Sequence, residues 1–262
     1  MIYRRDLNGG SKQEQHLVEQ DFHTNMQTHS QTHLQTRMVE FSLEGGGMAS
    51  GFDARPVSHG ACPAVLVIQE WWGLNDHIKD ICCRLAQEGF IALAPDLYEG
   101  KVTKDPQQAS EWMQQLDHQR CLQILTGGIR FLREKEPLYA EHIGVMGFCM
   151  GGSLALLLAC REPLLKAAVV FYGDAPEPID QLKNVRCPVE FLGAGKDPWI
   201  NAAKIEKIKS AFREYGVRGE VRVYPEADHA FFNDTRPEVY HPNAAHDAWT
   251  RAFGLFSRTL KS

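Results

Sequence analysis

Six short apolar runs, at residues 64–69, 90–94, 142–146, 167–171, 189–192 and 220–224, recur along the chain with amphipathic stretches between them. Runs this short and this uniformly apolar suit strands buried on both faces, as parallel strands are. The segments 78–87, 105–116, 119–134, 152–160, 203–215 and 243–260 carry helical patterns. Such alternation points to an α/β fold with a mainly parallel central sheet and helices on both faces. Reactive groups in these sheets gather beyond the carboxyl ends of the strands, so the residues just after each run are the ones to read for function.

With 262 residues, 44% of them hydrophobic and 23% charged, the chain suits one globular domain with a sizeable core. A net charge of −5 and the lack of any basic block exclude the electrostatic footprint of a nucleic-acid binder. No apolar run reaches the roughly 18 residues of a membrane span, and the N-terminus lacks the apolar centre of a secretory signal. The expectation is a cytoplasmic monomer with no membrane partner. Seven cysteines, odd in number and including the neighbours Cys82 and Cys83, fit a reducing compartment better than a disulfide framework. Residues 1–37 scatter His16, His23, His29 and His33 among Gln, Thr and Asn. That composition reads as a disordered polar tail more readily than as a metal site. A single domain is expected over 38–262, entered through a hairpin in "MVEFSLEGGGMASGFDARP".

Gly147-Phe148-Cys149-Met150-Gly151 has the Gly-x-nucleophile-x-Gly form of a nucleophile elbow, with cysteine where serine is usual. A strand-to-helix turn this tight strains the nucleophile's backbone and leaves no room for side chains at the glycine positions. It also sets Cys149 at a helix N-terminus, which favours a thiolate and aims the Met150 N–H at a developing oxyanion. An elbow calls for an acid and then a histidine, each after a later strand. Asp197 in "VEFLGAGKDPWI" and His229 in "VRVYPEADHAFF" fall in that order. Asp174 in "FYGDAP" is the competing acid, but it follows the preceding strand and is assigned to the pocket wall. After the first core strand, "VIQEWWGLNDH" places Glu70 before two tryptophans, surroundings that desolvate a carboxylate and make it readier to take a thiol proton. The Trp71 N–H is the candidate for the second oxyanion donor.

On "QEWWGLN", "APDLY", "GFCMGG", "GAGKD" and "ADHAFFN", the sequence from about residue 39 onward resembles the dienelactone hydrolase family of α/β-hydrolases. The resemblance implies a carboxymethylenebutenolidase-like esterase fold in which Cys149 is the nucleophile, Asp197 and His229 complete the triad, and Glu70 helps activate the thiol. It implies main-chain N–H groups of Trp71 and Met150 as the oxyanion hole, and no metal or organic cofactor. Dienelactone-cleaving members grip a substrate carboxylate with two arginines. Lys101 and Asn233 stand in those two regions here, and lysine does not replace a guanidinium fork. An uncharged or aromatic acyl compound suits a pocket drawn from Trp72, Tyr98, Lys101, Tyr172, Trp199 and Phe231.

The expected function is hydrolysis of a small ester or lactone through an acyl-cysteine. Thioester hydrolysis or acyl transfer on the same scaffold is the near rival. A non-catalytic ligand-binding or redox-sensing protein using Cys149 as an oxidisable thiol is the rival from another class, and it has no use for an acid and a histidine in triad order.

Overall fold

A computed structural model of the chain describes residues 34–57, 62–136 and 141–262. Residues 1–33, which hold most of the expected polar tail, lie outside the described residues. Eight strands form one sheet in the order β1-β2-β4-β3-β5-β6-β7-β8. The hairpin β1 (Leu34–Ser42) and β2 (Met48–Pro56) opens it, beginning four residues ahead of Met38 and turning through Gly45, Gly46 and Gly47. β2 pairs antiparallel with β1 and β4, whereas every pair from β4 to β8 is parallel.

The parallel strands are β3 (Ala64–Ile68), β4 (Ile91–Pro95), β5 (Ile143–Phe148), β6 (Ala167–Phe171), β7 (Val189–Ala194) and β8 (Gly219–Tyr224). β3 to β7 are buried at every position, which is why they read as unbroken apolar runs. Their side chains alternate between two cores. Leu66 and Ile68 face one side with α3 (His118–Lys135), α4 (Met150–Arg161) and α5 (Ala202–Glu214). Val65 and Val67 face the other, with α1 (Asp76–Gln87) and α6 (Pro242–Leu260). α2 (Pro106–Gln114) lies between β4 and α3 in sequence and buries only Ala109.

Helix starts follow from local chemistry. Side chains of Asn75, Asp105, Asp117, Asn201 and His241 each accept a main-chain N–H at the first turn of α1, α2, α3, α5 and α6. Among the described α-helices only α4 has no side-chain cap; Cys149 occupies that position. None of the described helices is long and apolar enough to cross a membrane.

Candidate active site

Cys149 sits between β5 and α4 with φ 55° and ψ −119°, a strained conformation for a residue with a side chain. Close approach explains its glycine neighbours. A Cβ on Gly147 would lie 2.0 Å from the Gly151 carbonyl oxygen, and one on Gly151 would lie 2.4 Å from the carbonyl oxygens of both Ile68 and Gln69. The elbow is fixed by hydrogen bonds from the Cys149 N–H to the Phe171 carbonyl (3.0 Å) and from the Ser153 N–H to the Cys149 carbonyl (3.1 Å). Cys149 is half-buried, and as the first residue of α4 Met150 leaves its N–H without an intrahelical acceptor.

The acid and histidine loops are tied together through the backbone. The Gly195 N–H donates to the Tyr224 carbonyl (2.8 Å) and the Lys196 N–H to the Ala227 carbonyl (3.0 Å). This brings Asp197 Oδ2 to 2.6 Å from His229 Nδ1, across 32 residues of sequence. The other carboxylate oxygen of Asp197 accepts the main-chain N–H groups of Trp199 and Ile200, both at 2.9 Å. Burial works against the Asp197 charge, but His229 and those N–H groups overcome it and hold its carboxyl below the usual range. Burial likewise opposes an imidazolium at His229. Hydrogen bonds to Asp197 and Cys149, with the charges of both, outweigh it and push the His229 pKa up to about 10. With Nδ1 held by Asp197, Nε2 is the nitrogen left for the thiol. Asp174, the competing acid, instead pairs with Lys204, while its N–H donates to Ser153 Oγ at 2.7 Å.

Glu70 is 1% exposed and accepts two neutral donors, Asn233 Nδ2 at 2.8 Å and the Tyr172 hydroxyl at 3.4 Å. Burial, then the charges of Glu70 and Cys149, push the Tyr172 phenol well above its ordinary range, so it keeps the proton it donates. Tyr172 has φ 40°, and Ala230, next to His229, has φ 65°. Three of the four described non-glycine residues with positive φ therefore border this site. Nothing in the sequence marks the partners of Glu70: there Tyr172 reads as a pocket residue and Asn233 only as the absence of an arginine.

The remaining expected pocket residues divide. Trp71 is half-buried against Trp72, with ring centroids 5.0 Å apart. Tyr98 directs its hydroxyl to Met150 Sδ at 3.5 Å, and Trp199 sets its ring 4.9 Å from that of His229. Phe231 is fully enclosed between Tyr172 and Tyr224, and Lys101 is exposed. Burial pushes the Cys121 and Cys160 thiols up to about 12 and Cys187 to about 11, which leaves them protonated. Among the described residues no three His, Cys, Asp or Glu side chains are grouped to hold a metal ion.

The profile of the Dienelactone hydrolase family matches residues 50–260. The chain belongs to the dienelactone hydrolase family. It is similar to Protein usf of Aquifex pyrophilus, 38% identical over 231 residues that span 86% of this chain and 99% of the relative. An Aquifex aeolicus protein provisionally named a carboxymethylenebutenolidase is 36% identical over 232 residues, with the same coverage of 86% and 99%. Among solved structures, the dienelactone hydrolase-like promiscuous phosphotriesterase P91 from metagenomic libraries superposes with a TM-score of 0.79 at 25% identity, covering 86% of this chain and 98% of that one. A provisionally named dienelactone hydrolase from Klebsiella pneumoniae gives 0.78 at 33% identity, covering 86% and 99%. Like its dienelactone hydrolase relatives, the chain is a carboxylic ester hydrolase.

Proposed function

We propose that the chain cleaves a small, uncharged ester or lactone through an acyl-cysteine on Cys149. The observation that carries this reading is the Asp197–His229 pair, 2.6 Å apart at the strand ends and electrostatically coupled to Cys149, with the uncapped first turn of α4 beginning at that cysteine. Glu70 takes the thiol proton as substrate arrives. The Cys149 thiolate attacks the carbonyl carbon, forming a C–S bond and an oxyanion held by the N–H groups of Met150 and Trp71. Collapse breaks the bond to the alcohol, whose oxygen takes a proton from the His229 imidazolium. His229 then removes a proton from water, which attacks the thioester carbon. The C–S bond breaks, releasing the acid, and the departing thiolate takes back the proton held on Glu70, which restores the resting enzyme.

An uncharged substrate is favoured because Asn233 is committed to Glu70 and Lys101 stands exposed, so neither region supplies a guanidinium fork. The test is hydrolysis of a panel of aryl esters, lactones and thioesters by wild type and Cys149→Ala, with mass spectrometry of quenched enzyme. The expected result is an acyl adduct on Cys149 and loss of turnover in the variant. Equal rates for the two proteins across the panel overturn the reading. Transfer of the acyl group to added alcohols or thiols in preference to water replaces hydrolysis by acyl transfer.

A further inference from the structure

We propose that Trp199 is the platform on which the alcohol half of the substrate lies, and that the preferred esters are those of aromatic or other broad, apolar alcohols. This rests on the acyl-cysteine reading above. In that reaction the leaving oxygen must come within hydrogen-bond reach of His229 to be protonated. The carbon skeleton of the alcohol therefore continues past the imidazole, and whatever borders the imidazole meets it.

Two aromatic rings lie against His229. Tyr172, with centroids 5.0 Å apart, is 0% exposed and belongs to the core. Trp199, at 4.9 Å and an interplanar angle of 81°, is 59% exposed. The way out for an alcohol lies over the indole. Trp199 is the single aromatic among the large apolar side chains that the described residues expose. A lone exposed apolar residue is ordinary on a protein surface, but this one touches the proton donor of the reaction.

The main chain that carries the indole is fixed. The main-chain N–H groups of Trp199 and Ile200 both donate to Asp197 Oδ1 at 2.9 Å, Ile200 is buried, and the Asn201 side chain caps α5 immediately afterwards. The backbone beneath the ring is thus fixed by the same carboxylate that orients His229. A flat apolar alcohol covering the exposed face gains burial and ring stacking without ordering a loose loop.

The competing account makes Trp199 a shield that keeps water from the Asp197–His229 pair, which would affect every substrate alike. A series of butyrate esters separates the two, since the acyl-enzyme is common and only the alcohol varies: methyl, ethyl, benzyl, phenyl and 2-naphthyl. The measured quantity is the ratio of kcat/KM between wild type and Trp199→Ala for each ester, which cancels intrinsic leaving-group reactivity. The expected result is a loss of about tenfold for the three aromatic esters, chiefly in KM, with methyl and ethyl esters within about twofold. Trp199→Phe should restore most of the loss. An equal loss across the series, or none, overturns the proposal. If butyryl-Cys149 still accumulates in that case, only the role of Trp199 falls; if no acyl-cysteine forms in wild type, the reading beneath it falls too.

Discussion

Asn233 donates its side-chain amide to Glu70 Oε2 across 2.8 Å, and both residues are 1% exposed. A carboxylate this enclosed needs donors to offset the water it has lost, and the Tyr172 hydroxyl at 3.4 Å is the other one shown. Asn233→Leu keeps the volume and removes the donor. The expected cost is about 1–3 kcal/mol of unfolding free energy in a urea titration, and on the proposed role of Glu70 as acceptor of the thiol proton the acylation rate should fall as well. Unchanged stability would show that Glu70 reaches another donor.

Asp197→Asn tests the His229 geometry through pH. Burial opposes the imidazolium, but Asp197 and Cys149 outweigh it and raise the His229 pKa to about 10, so the imidazolium that on the proposed mechanism protonates the leaving alkoxide persists across neutral pH and is lost above about 10. The alkaline limb of kcat/KM for alkyl esters should therefore lie near that value in the wild type. Removing the carboxylate lowers the pKa, so the limb moves to lower pH. Turnover near pH 7 should drop by roughly 10²–10⁴. The same shift affects folding. A raised folded-state pKa adds stability that is complete below the ordinary histidine value of about 6.5 and fades as pH climbs toward 10.

Glycines offer an internal contrast. A methyl group on Gly151 would strike two carbonyl oxygens at 2.4 Å, and the backbone of β3 has nowhere to go. Gly151→Ala should open the elbow, removing activity and lowering the melting temperature. Gly254, inside α6, would place its new methyl 3.6 Å from Arg258 Nη1, an ordinary contact. Gly254→Ala should raise stability by about 0.5–1 kcal/mol and leave activity alone. Calorimetry with an esterase assay reads both.

The sheet was legible because β3 to β7 are buried on both faces, and burial of that kind writes continuous apolar runs into the sequence. The elbow was legible because its strain demands glycine at fixed offsets. Element ends were less so. α4 begins at Met150, two residues before its apolar pattern, since Gly151 and Gly152 lie in its first turn for close packing against propensity. The 3₁₀ turn at Ile179–Asn184 is too short to show a period. The holders of Glu70 left no trace, because Asn233 and Tyr172 meet it across 163 and 102 residues by single polar contacts that have no spacing rule. Phe231, with the same aromatic character as Trp199, is fully enclosed, and only the fold distinguishes a wall from filler.

The last prediction concerns Asp234, next to Asn233. Its carboxylate binds the Arg84 guanidinium and faces His77 Nδ1 at 3.4 Å, while Arg84 Nε also donates to Asp80 at 2.6 Å. The His77 ring lies among Phe148, the last residue of β5, and Phe232, with centroids 6.4 Å from each. Burial opposes the Asp234 charge, but the neighbouring His77 ring and the hydrogen-bonded Arg84 guanidinium outweigh it and hold the carboxyl well below its usual range. A depressed carboxyl pKa adds stability above the unfolded value of about 3.9 and loses it as pH falls through the folded one. Asp234→Asn should therefore cost about 1–3 kcal/mol at pH 7 and progressively less on acidification, read by urea unfolding at pH 7 and pH 3.5. Because this pairing anchors the segment that presents Asn233 to Glu70, kcat should fall in the same variant while KM for small esters holds. A penalty of equal size at both pH values would mean that the contact acts through packing rather than charge.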